Sequence, residues 1–149
     1  MNLGNKTLIP FKDSNFFQQL ESNSNAVIFL RFCDWSQTIQ ANIVLEKREN
    51  DKYIILCDTA WYCVQDKCLE IEISKNHVEE LLDILKNHKI AIIPSTYEHK
   101  IFIDGYYIDM YLKFGSNYVC YSWHCEPNEE WNKLYRITEI LLSYVWEEL

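Results

Sequence analysis

Polar and apolar positions alternate with a period of two over much of the chain, and the pattern switches to a helical period in a few places. The runs AVIFLRFC (26–33), TIQANIVLEKRE (38–49), DKYIILCDTAWYCV (51–64) and KCLEIEISK (67–75) are rich in β-branched and aromatic residues. Alternation is clearest in the last, where Leu69, Ile71 and Ile73 oppose Glu70, Glu72 and Ser74. Glu49-Asn50-Asp51 is a turn signal between the second and third runs, so the four strands read as an antiparallel meander. From 76 to 88 the period changes: Val78, Leu81, Leu82 and Leu85 fall at i, i+3, i+4 and i+7. This predicts an amphipathic helix, with Asn76 and Glu79 placed as a capping box. Two further strands are expected from about 100 to 114 and from 117 to 124, with a short apolar run, IAII, at 90–93. Pro127 sits where a final helix would begin, and Trp131, Leu134, Tyr135, Thr138, Leu141, Leu142 and Val145 trace its apolar stripe. A short helix is also expected over 13–21, capped by Asp13 or Ser14.

The expected architecture is α+β: a single antiparallel sheet of about six to seven strands with helices packed on one face, forming one domain over residues 1–149. A chain of 149 residues can bury a core without disulfide or metal staples.

The register of the last hairpin follows from residue types. Gly115-Ser116 suits a two-residue type II′ turn, which takes Gly first. Phe114 then faces Asn117, Leu112 faces Val119, Met110 faces Tyr121, and Ile108 faces Trp123. On the other face Lys113 meets Tyr118, Tyr111 meets Cys120, Asp109 meets Ser122, and Tyr107 meets His124. A slip of one residue would mix the apolar face with the polar one.

That register tests the stretch most suggestive of chemistry, YVCYSWHCEP (118–127). Cys120 and His124 share a face but lie four residues apart, roughly 13 Å along an extended strand. Zinc holds its ligands at about 2.0–2.3 Å, so these two do not converge on one ion unless the strand bends sharply. Cys125 points the other way. A turn at Gln65-Asp66 would place Cys63 opposite Cys68, which is still short of a tetrahedral site. No metal and no cofactor is therefore expected. His77, His88, His99 and His124 form no metalloprotease motif, and no nucleophile elbow, phosphate loop or dinucleotide turn is present. No catalytic residues are assigned, and Asp109, diagonal to His124, reads as its hydrogen-bond partner. The same hairpin face is more suggestive as a surface. Tyr107, Asp109, Tyr111, Tyr118 and His124 form an aromatic and acidic patch of the kind that contacts protein partners.

Composition narrows the partner. Fourteen basic against twenty-two acidic residues leave a formal charge of −8, and the densest basic group, Lys47-Arg48, is flanked by acids. That balance argues against nucleic acid and anionic membrane. No stretch approaches the roughly 18 apolar residues of a membrane span, and no secretory signal opens the chain. A cytoplasmic protein with reduced thiols is expected.

Residues 103–131, IDGYYIDMYLKFGSNYVCYSWHCEPNEEW, resemble a pattern in small bacterial domains, some of them immunity proteins of toxin systems. The matching positions are Asp104, Gly105, Tyr107, Tyr118, Trp123, Pro127 and Trp131. The resemblance covers the C-terminal third and implies a hairpin followed by a helix, with Trp123 in the core. The resulting expectation is a non-enzymatic immunity or inhibitor protein that neutralises a basic toxin or effector. A zinc- or thiol-dependent enzyme using Cys63, Cys68, Cys120 or His124 is one alternative. A phage-encoded acidic inhibitor of a nucleic-acid-processing enzyme is the other.

Overall fold

A computed structural model describes residues 22–34, 39–61, 64–87, 106–114, 117–124 and 129–148. Strands β1 (Ala26–Asp34), β2 (Ile39–Lys47), β3 (Tyr53–Trp61) and β4 (Val64–Glu72) precede helix α1 (Lys75–Asn87). Strands β5 (Tyr106–Phe114) and β6 (Asn117–His124) lead through a 3-10 turn at Glu129–Trp131 into helix α2 (Asn132–Glu148). Among the described residues the strands form one six-stranded sheet in the order β4-β3-β2-β1-β5-β6. Every pairing is antiparallel. The architecture is α+β. The helix expected over 13–21, the IAII run and Pro127 lie outside the described residues.

β1 is the first strand among the described residues and lies inside the sheet, between β2 and β5. Its composition explains this position, because a strand covered on both faces reads as a nearly continuous apolar run. Ile28 and Leu30 join the larger core with Ile43, Ile55, Ile108, Met110 and Trp123, while Phe29 joins a second cluster with Ala26, Val44 and Tyr111. The entry to β1 is pinned by Asn23. Its side-chain amide donates to Glu46 Oε2 (2.7 Å), its Oδ1 accepts the Asn25 N–H, and its carbonyl accepts from Lys113 Nζ (3.0 Å). Glu46 is nearly buried and is paired with Arg48, so its charge stays compensated.

The β2–β3 connection falls where the turn signal lies. Asn50 (φ 61°) and Asp51 (φ 56°) are left-handed, a conformation that Asn and Asp tolerate better than most residues. The Arg48 N–H to Lys52 O bond (2.7 Å) closes the loop.

The β3–β4 hairpin corrects an expectation. Gln65 and Asp66 are strand residues, and the two strands meet where Trp61 pairs with Val64. Cys68 therefore faces Asp58 and not Cys63. The connection between the strands therefore lies three residues toward the N-terminus of the expected turn, with a register irregularity between Thr59 and Trp61 just before it.

Helix α1 starts one residue earlier than its pattern indicates. Ser74 caps it, its Oγ accepting the His77 N–H (3.4 Å) while its carbonyl accepts the Val78 N–H (3.0 Å). Asn76 thus lies inside the first turn, and the N-cap is Ser74 with no capping box, because His77 and not Glu79 stands three residues on. Tyr144 of α2 ties into this cap: its hydroxyl accepts the Ser74 N–H (3.0 Å) and meets His77 Nδ1. A second tie joins the helices, Arg136 Nε and Nη2 donating to the two oxygens of Glu80 (2.6 and 3.1 Å). The guanidinium holds the Glu80 carboxyl below its ordinary range.

The buried residues of both helices, Leu81, Ile84, Leu134, Ile137, Leu141 and Val145 among them, belong to the same cluster as Ile28, Ile43 and Ile108. Trp131 anchors the approach to α2, edge-on to Tyr121 (5.3 Å) and to Trp123 (6.0 Å). Trp123 is buried as the resemblance implies. Its indole N–H has no hydrogen-bond partner among the described residues. No helix among them is long and apolar enough to cross a membrane.

Three substitutions check this packing. In urea, Trp131→Ala is expected to cost about 3–5 kcal/mol. Trp123→Phe should cost distinctly less, because the poorer packing of the smaller ring is partly offset by removing a buried donor that makes no bond. Glu80→Gln should cost no more than about 1 kcal/mol at neutral pH, since both partners are substantially solvated. Because the folded carboxyl is held low, that difference is present above the unfolded carboxyl range and vanishes as pH falls through the folded value.

Candidate binding surface

The hairpin register brings Tyr107, Asp109 and Tyr111 of β5 onto one face with Tyr118, Cys120, Ser122 and His124 of β6. All eight cross-strand pairs, from Phe114–Asn117 to Tyr107–His124, fall where the Gly115-Ser116 turn places them. The environments of these residues differ. Tyr107 is exposed (36%) and stacks on the buried His124 ring, with centroids 4.5 Å apart and planes 13° apart. Asp109 is half-buried and accepts a 2.6 Å hydrogen bond from Ser122 Oγ, so its described partner is Ser122 and not the diagonal His124. Tyr111 is buried (5%) and lies edge-on to Phe29 (6.3 Å). Tyr118 holds its strand position opposite Lys113.

This face continues across the sheet. Asp109 is directly opposite Arg31 of β1, Arg31 is opposite Asn42 of β2, Asn42 is opposite Asp58 of β3, and Asp58 is opposite Cys68 of β4. With Ser122 at its other end, a row of polar positions crosses five strands and ends at Cys68 on the sixth. Arg31 is its centre and is 95% shielded from solvent. A buried guanidinium is tolerated only where acceptors surround it, and the row supplies a carboxylate and an amide on the two adjoining strands. Next to it runs an apolar row: Leu56, Val44, Phe29, Tyr111 and Cys120. Arg31 and Asn42 are not among the residues expected from the sequence to matter. The available signal was a single basic residue within the otherwise apolar run AVIFLRFC.

Electrostatics follow from this placement. Burial pushes the Tyr111 phenol up, and its hydrogen bond with Cys120 and the charge on Asp109 push in the same direction, against a smaller opposing effect of Arg31. Cys120 Sγ also lies 3.9 Å from Ser122 Oγ. These polar side chains are engaged with one another. Among the described residues no three His, Cys, Asp or Glu side chains are grouped to hold a metal ion. Cys120 and His124 stand opposite Tyr111 and Tyr107 respectively, separated along one strand. Cys63 and Cys125 lie outside the described residues.

No protein-family model and no curated protein matches the chain.

Alkaline titration tests the buried phenol. The unfolded Tyr111 ionises near pH ~10, whereas the folded one stays neutral to higher pH. Its contribution to stability is therefore complete below pH ~10 and declines as pH rises beyond it. Tyr111→Phe should flatten the alkaline loss of stability, and phenolate absorbance should show one fewer late-ionising tyrosine.

Proposed function

We propose that the protein is a non-enzymatic binding protein, an immunity or inhibitor protein that neutralises a basic bacterial toxin or effector in the cytoplasm. The observation that carries this reading is Tyr107, an exposed tyrosine stacked on a buried histidine beside Asp109, on a chain of net charge −8. Aromatic rings held in place before contact lose little entropy on binding, which is why Tyr is favoured at interfaces. An acidic surface also speeds encounter with a basic partner. The hairpin-helix resemblance to immunity proteins points the same way. In this reading both helices pack on the Ile43–Ile108 face of the sheet, and the partner approaches the end of the opposite face where Tyr107 stands. His124, buried, supports that contact from beneath, and the buried Tyr111 extends the same face further along β5.

Co-expression with toxin genes encoded beside this one tests the proposal. The expected result is protection of the host, with a stable complex recovered on purification. Tyr107→Ala should weaken that complex about tenfold or more while leaving the fold intact. A chain that protects against none of its encoded neighbours and binds none of them overturns the reading.

A further inference from the structure

We draw no further inference here: the strongest candidate, the side-chain cluster of Ser74, His77 and Tyr144 where α1 begins against α2, is a helix N-terminus whose polar groups are engaged with one another, and no second observation among the described residues points to a ligand there.

Discussion

The fold turns on the pairing of β1 with β5. Every other strand pair joins neighbours in sequence, whereas this one joins Ile28–Asp34 to Tyr106–Leu112 across more than seventy residues. It converts a four-stranded meander and a separate hairpin into one sheet. It also carries the polar row across the seam, because Arg31 meets Asn42 on one side and Asp109 on the other. Such non-local pairing carries a large loop-closure cost, and the compensation lies in burial on both sides of β1: Ile28 and Leu30 on one, Phe29 on the other.

Where local chemistry determined structure, the sequence was legible. The strand runs of β1 to β4, the turn at Glu49-Asn50-Asp51 and the β5–β6 register were all readable from residue types, since each depends on a few adjacent positions. The readings that failed did so for local reasons as well. Gln65-Asp66 has turn composition, but the β3–β4 pairing from Ile54–Glu72 onward places the connection earlier and leaves that polar pair within β4. Ser74 ends an alternating strand pattern and reads as part of it, although its hydroxyl already serves the next element as a cap.

What could not be read was the relation between distant segments. Asp109 was legible as a polar residue on the hairpin face, but its place opposite Arg31 depends on which strand comes to lie beside β5. The tie from Tyr144 to Ser74 and the bidentate Arg136–Glu80 pair have the same character. Trp146 illustrates the limit well. Its position in the helical stripe is ambiguous by periodicity, and only its packing against Phe32 shows an indole that is held by the protein and still open to solvent.

The order of synthesis gives Arg31 another significance. β1 leaves the ribosome long before β5, and until then one of its edges has no strand from the rest of this sheet. An apolar edge waiting in that state invites pairing with another chain. A guanidinium at the middle of AVIFLRFC is the kind of charge that keeps such an edge from sticking to its own kind, a gatekeeper. In the finished sheet the same residue is enclosed opposite Asp109 and Asn42. One side chain would then guard the strand while it waits and mark its proper neighbour when it arrives.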